Sequence, residues 1–206
     1  DAVQALAKIP TEKYLTDRVD FATFSSHKFH GVRGVGFVYI KSGKKITPLL
    51  TGGGQEGDHR STTENVAGIA ATAKALRLSM EKLDIFTNKA GQMKSVIRQA
   101  LLDYPDIFVF SDEEDFAPHI LTFGIKGVRG EVIVHAFEDY DIFISTTSAC
   151  SSKAGKPAGT LIAMGVDKDK AQSAVRLSLD PENDMSQVEQ FLTKLKLIYN
   201  QTRKVR

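Results

Sequence analysis

The chain has 206 residues, 42% hydrophobic and 25% charged, an ordinary globular composition with length for one or two domains. Twenty-seven Lys and Arg against 25 Asp and Glu leave a formal charge of +2, too balanced for nucleic-acid binding through a basic face. No apolar run approaches the roughly 20 residues of a membrane-spanning helix, and a single cysteine excludes a disulfide framework or a thiolate-cage zinc site.

The lone thiol suits a reducing compartment, so a cytoplasmic location is expected, and no signal-peptide pattern is visible. The opening Asp1-Ala2-Val3-Gln4 lacks Met and runs straight into patterned sequence, which suggests a piece of a longer protein. In chain order, residues 19–24 alternate as a short strand, and Ser25-Ser26-His27-Lys28 leads into a hairpin punctuated by Gly31, Gly34 and Gly36 with a strand over 35–40. Residues 51–57 form a glycine-rich loop open to close approach by a ligand or another subunit. Thr63-Glu64-Asn65 opens a long helix with Val66, Ile69, Ala70, Ala73, Leu76 and Met80 at helical spacing. A second helix, about 85–104, carries Ile97, Leu101 and Leu102 and is stopped by Pro105.

Beyond it the rhythm changes. Strands are predicted at 107–110, 120–123, 142–144 and 175–179, and helices at 130–137, 168–174 and 185–201. The last helix presents Val188, Phe191, Leu192, Leu195 and Ile198 on one face. Interleaved strands and helices give an α/β class, divided into residues 1–83 and 84–206, with the long helix bridging.

Taken singly, the reactive side chains each admit two readings. Lys28 is a surface lysine on a turn, or a partly desolvated amine able to attack a carbonyl, with a hydroxyl and an imidazole upstream to hold a phosphate. His27 and His30 lack the third ligand a metal needs. The glycines after Lys28 are followed by no helix, and Gly43-Lys44-Lys45 lacks the rest of a phosphate loop, so neither nucleotide signature is met. Cys150 has small polar neighbours, with Lys153 and Lys156 close enough to favour a thiolate, which suits an exposed thiol on a mobile loop better than a buried one. Arg176 lies inside an apolar strand and needs a partner, either a structural carboxylate or a substrate carboxylate fitted to its fork.

The order of these segments changes their weight. Asp1-x-x-Gln4, Ser25-Ser26-His27-Lys28, Gly52-Gly53-Gly54-Gln55-Glu56, Arg60-Ser61-Thr62-Thr63-Glu64-Asn65, Ser148-Ala149-Cys150-Ser151 and Arg176-Leu177-Ser178-Leu179, in that succession, closely resemble the NifS/IscS-like cysteine desulfurases of the class V aminotransferases. The resemblance covers the whole chain. It implies the C-terminal part of a fold-type I pyridoxal-phosphate transferase: 1–83 a remnant of the large cofactor-binding domain, and 84–206 a small α/β domain with the cysteine loop. By position, it implies that Lys28 binds pyridoxal 5'-phosphate covalently, Asp1 pairs with the pyridine nitrogen and Gln4 bonds the phenolic oxygen. Ser25 and His27 would hold the phosphate, Thr63 would reach it across a dimer interface, Arg176 would clamp the substrate carboxylate, and Cys150 would become the persulfide.

The reaction so implied converts L-cysteine to L-alanine and passes sulfur to an acceptor protein, in iron–sulfur assembly or tRNA thiolation. The full-length enzyme is expected to be a homodimer with no metal, no membrane association and no direct nucleic-acid contact. The alternatives are a selenocysteine lyase-like enzyme and a non-catalytic docking module for sulfur acceptors. Thr62, Thr147, Val32 and Asp180 depart from the residues usual in the family, Thr62 and Asp180 replacing glycines. The family's first half also supplies a ring-stacking histidine, a phosphate loop and several strands. The 206-residue chain alone is therefore expected to be inactive and to hold the cofactor poorly, with 84–206 folding as a compact domain.

Overall fold

A computed structural model describes residues 1–111, 116–147 and 159–204. The chain divides into two compact units, Asp1–Ile85 and Phe86–Arg206. The first contains β1 (Phe21–Ser25), a 3-10 turn (Ser26–Phe29), β2 (Gly36–Ile40), a single helical turn α1 (Gln55–Asp58) and α2 (Val66–Glu81). β1 and β2 pair antiparallel, with Phe21 opposite Ile40 and Ser25 opposite Gly36. Alternation along β1 turns Ala22 and Phe24 inward, where they join Leu6, Ala7 and Phe29 in a small core. Phe37 stacks on Phe24 with ring centroids 4.8 Å apart.

α2 forms where its spacing predicts, but its predicted apolar stripe is not the face that packs in this unit. Leu76, with Ala75, reaches the small core, whereas Val66 is 73% and Ile69 44% exposed. The buried positions are Gly68 and Thr72. Periodicity identified the helix, while close approach and a buried hydroxyl select its packed side.

The second unit is an antiparallel sheet in the order β3-β4-β6-β5, built from β3 (Ile107–Val109), β4 (Ile120–Ile125), β5 (Ser145–Thr146) and β6 (Ala174–Ser178). Its helices are α3 (Leu83–Leu102, which begins before the division), α4 (Gly130–Glu138), α5 (Gly159–Ala163), α6 (Lys168–Gln172) and α7 (Met185–Lys204). Leu121 faces Leu177 and Phe123 faces Val175 across β4 and β6, so these two central strands present an apolar face. Onto it pack Ala90, Met93, Ile97 and Leu101 of α3, Ile133 and Phe137 of α4, and Val188, Phe191, Leu195 and Ile198 of α7. The rings of Phe137 and Phe191 stack at 4.9 Å, with Phe123 edge-on to Phe191 at 6.2 Å.

Several boundaries differ from expectation. Ile142-Phe143-Ile144 is not a strand: the Ile142 N–H is taken by the Phe137 carbonyl at 3.1 Å, and ladder pairing begins only at Ser145. The alternation there is real, since Ile142 and Ile144 pack on the core and Phe143 is exposed. The helix expected at 168–174 ends at Gln172, because Ala174 already pairs with Gly124. Leu102 is exposed rather than part of the α3 core face, and α5 was not foreseen. Neither Thr62 nor Asp180 adopts a positive φ. Asp180 instead accepts the Glu182 N–H at 3.1 Å in a turn that leads to α7.

Leu195 is fully buried, so Leu195→Ala is expected to cost the second unit about 2–5 kcal/mol in denaturant unfolding. Asp184 caps α7, its Oδ1 accepting the Ser186 hydroxyl at 2.6 Å and the N–H groups of Ser186 at 2.9 Å and Gln187 at 3.2 Å. The Ser186 hydroxyl, then the Gln187 N–H, hold its carboxyl below the ordinary value of 3.8. A lowered folded pKa stabilises above the unfolded value and is lost as pH falls through the folded one. Asp184→Ala should therefore lower the melting temperature at neutral pH, and the difference from the unaltered chain should narrow below pH 3.8.

Candidate functional site

The first unit carries candidate residues on the turn that follows β1. A 3-10 turn has three residues per turn, so i and i+3 share a side. Ser26 and Phe29 are accordingly buried together, at 0% and 1% exposure, leaving His27 exposed and Lys28 half-buried. The turn is closed by His30 in the left-handed conformation at φ 64°. The N–H groups of His30 and Gly31 both point at the Ser26 carbonyl, the latter at 3.0 Å, and the Ser26 N–H donates to the Val35 carbonyl at 3.0 Å.

The opening segment lies beside β1, because the Ala2 N–H donates to the Thr23 carbonyl at 3.1 Å. Leu6 and Ala7 are buried and Gln4 is exposed. Asp1 accepts the Val3 N–H through Oδ1 at 2.9 Å, leaving its second carboxylate oxygen available. The Ala2–Thr23 bond thus sets the segment carrying Asp1 and Gln4 beside the strand that leads into Ser25, His27 and Lys28. Thr63 is exposed, two residues before the cap of α2, where Asn65 Oδ1 accepts the Gly68 N–H at 3.0 Å. The glycine-rich stretch before it is held by the Ser61 hydroxyl donating to the Gly53 carbonyl at 2.8 Å.

In the second unit, Arg176 occupies the middle of β6, opposite Thr122 of β4 and Ser145 of β5. Its neighbours Val175 and Leu177 face the helical core, so alternation sends the guanidinium to the other face of the sheet. Among the described residues it has no ion pair, and its Nε is buried without a hydrogen-bond partner. The structural-carboxylate reading of Arg176 is thereby set aside for the described residues. Cys150, with Lys153 and Lys156, lies outside the described residues. No group of three His, Cys, Asp or Glu among the described residues is arranged to hold a metal ion.

Sequence reasoning gave no separate role to Ser26, Thr72 and Ser79, although Thr72 contacts the Ser26 hydroxyl and Ser79 the Phe29 carbonyl. Thr72 and Ser79 are polar positions seven apart on α2, and a polar i,i+7 pair reads as a solvated face unless something buried is known to need it. Among the described residues no helix is long and apolar enough to cross a membrane.

Comparison with known proteins places these residues in context. The aminotransferase class-V family profile matches residues 1–191. The NifS/IcsS protein homolog of Lactobacillus delbrueckii is 47% identical over 206 residues, all of this chain and 54% of the relative. Cysteine desulfurase IscS of Clostridium botulinum is 34% identical over 209 aligned positions, covering all of this chain and 52% of that protein. A solved NifS-like protein superposes with a TM-score of 0.82 at 35% identity, over 97% of this chain and 51% of the other. A NifS-like protein from Rickettsia africae gives the same TM-score at 29% identity, over 97% and 52%. The chain therefore spans about half the length of the curated relatives it matches. Members of this family depend on pyridoxal phosphate. With the profile running from Asp1 through Phe191, the chain belongs to the class V aminotransferases.

Proposed function

We propose that the chain carries the lysine, arginine and cysteine of a pyridoxal-phosphate-dependent cysteine desulfurase, whose complete form converts L-cysteine to L-alanine. The observation that carries this reading is the buried, unpartnered Nε of Arg176. Leaving such a donor unpaired costs about 1–3 kcal/mol, or more when it is charged, and a substrate carboxylate on the guanidinium fork removes that cost.

The donor set of the first unit fits the cofactor. Lys28 offers a half-buried amine for an aldehyde, Ser25 and His27 flank it with groups suited to a phosphate, and Asp1 keeps one carboxylate oxygen for a pyridinium proton. In this reading Gln4 donates to the phenolic oxygen, and Thr63 reaches a phosphate from a neighbouring copy in a homodimer. Pyridoxal phosphate, when bound, supplies the electron sink that acidifies the α-carbon of an amino acid.

The chain's own residues do the rest. Arg176 fixes the substrate by its carboxylate, which aligns the Cα–H bond and halts tumbling of the amino acid. Lys28 carries the cofactor through its amine and is the base suited to take the α-proton. The Cys150 thiolate attacks the substrate sulfur: an S–S bond forms, the C–S bond breaks, and its electrons remain on carbon, which is protonated to give alanine. The sum is cysteine plus a thiol giving alanine plus a persulfide, with no outside oxidant. A sulfur-acceptor protein then takes the terminal sulfur. The 206-residue chain alone is proposed not to turn over.

The test joins the N-terminal half of the Lactobacillus relative to this chain and measures alanine released from L-cysteine. Cys150→Ala is expected to lower release at least about a hundredfold, and Arg176→Lys to lower kcat/KM about ten- to a hundredfold through loss of the bidentate contact. Undiminished alanine release by the Cys150→Ala chimera would contradict the proposed sulfur route.

A further inference from the structure

The amine at Lys28 sits on a four-residue turn that a single strand end would hold loosely, yet the turn is gripped at both ends by one helix. The Thr72 hydroxyl lies 3.0 Å from the Ser26 hydroxyl and 2.7 Å from the Gly68 carbonyl. A hydroxyl has one proton, so with the Thr72 proton on the carbonyl, Ser26 donates to Thr72. At the other end, the Ser79 hydroxyl donates to the Phe29 carbonyl at 3.1 Å. Residues 72 and 79 are seven apart, about two turns and 10 Å along the axis on one side of α2. Lys28 lies between the two points they hold.

The surrounding backbone is shaped to this grip. A Cβ on Gly31 would fall 1.9 Å from the Ser26 hydroxyl, so a side chain there would push that hydroxyl off Thr72. A Cβ on Gly68 would fall 2.5 Å from Asn65 Nδ2 and 2.8 Å from Val35 Cγ2, so α2 comes close to the residue before β2 at a bare position. Ser26 and Thr72 are both buried, which shields their hydrogen bond from competition by water.

We propose that Thr72 and Ser79 are positioning residues for Lys28: α2 clamps the turn through two hydroxyls and fixes where the lysine amine points. The inference rests on the reading that this amine carries the cofactor. Its test requires no cofactor and so fails separately from that reading.

In the 206-residue chain, Thr72→Val removes the hydroxyl at nearly constant shape. Amide exchange at Gly31, whose N–H is held by the Ser26 carbonyl, is expected to rise about tenfold, the size of one lost hydrogen bond. Amides of β4 and β6 should not change. At one fixed pH, the rate of trace acetylation at Lys28, read by peptide mass spectrometry, should move toward that of exposed lysines, and Thr72→Ser should restore both. Gly31→Ala should reproduce the Thr72→Val result by displacing the Ser26 hydroxyl, and Ser79→Ala should loosen the turn from the other end. Unchanged exchange and acetylation in Thr72→Val, or in Gly31→Ala should Thr72→Val not fold, would overturn the clamp, as would a Thr72→Ser chain that behaves like Thr72→Val. Absence of alanine release from the unaltered chimera would instead refute the functional reading and leave the clamp result standing.

Discussion

Strict alternation across the β4–β6 ladder is the constraint on which the second unit depends. Leu121 against Leu177 and Phe123 against Val175 commit one face to the helices. The residue between Val175 and Leu177 must then face the other way. That residue is Arg176, flanked by Thr122 and Ser145 and lacking a hydrogen bond at Nε. A one-residue slip would bury the guanidinium in the helical core and expose Val175. The same pairing that stabilises the unit therefore places its cation on the face away from the helices.

The first unit solves a different problem with less core. Among the described residues, five buried apolar side chains form its centre, against eighteen in the larger cluster of the second unit. With so little burial to fix the turn after β1, polar contacts carry more of the burden. The turn is defined by backbone bonds onto the Ser26 carbonyl, by Phe29 inserted in the core, and by the two hydroxyls of α2. A 3-10 geometry makes Ser26 and Phe29 share a side, and half-exposure of Lys28 follows.

Much of this was legible in the sequence because apolar periodicity reports what is buried. The α3 and α7 core faces were marked by Ile97 and Leu101, and by Val188, Phe191, Leu195 and Ile198, at helical spacing. The ordered motifs from Asp1 to Leu179 were legible for another reason: they reproduce a family's pattern, and the profile match over 1–191 bears out that resemblance. What escaped was packing decided by small or polar groups. The apolar stripe of α2 pointed to Val66 and Ile69 as its packed side, whereas Gly68 and Thr72 are the buried positions. The apolar triplet at 142–144 alternated correctly but formed no ladder, because a helix-end bond had claimed the Ile142 N–H. Neither a close approach at glycine nor a hydroxyl-to-hydroxyl contact 46 residues apart leaves a periodic trace.

The functional account stands on one covalent link, between the Lys28 amine and an aldehyde cofactor. Its most direct measurement is borohydride reduction of the chimera after incubation with pyridoxal phosphate, followed by peptide mapping. The expected result is one phosphopyridoxyl group on the peptide containing Lys28, lost in Lys28→Ala. A group found on other lysines with Lys28 unmodified, or no stable adduct at all from a folded chimera, would contradict the account.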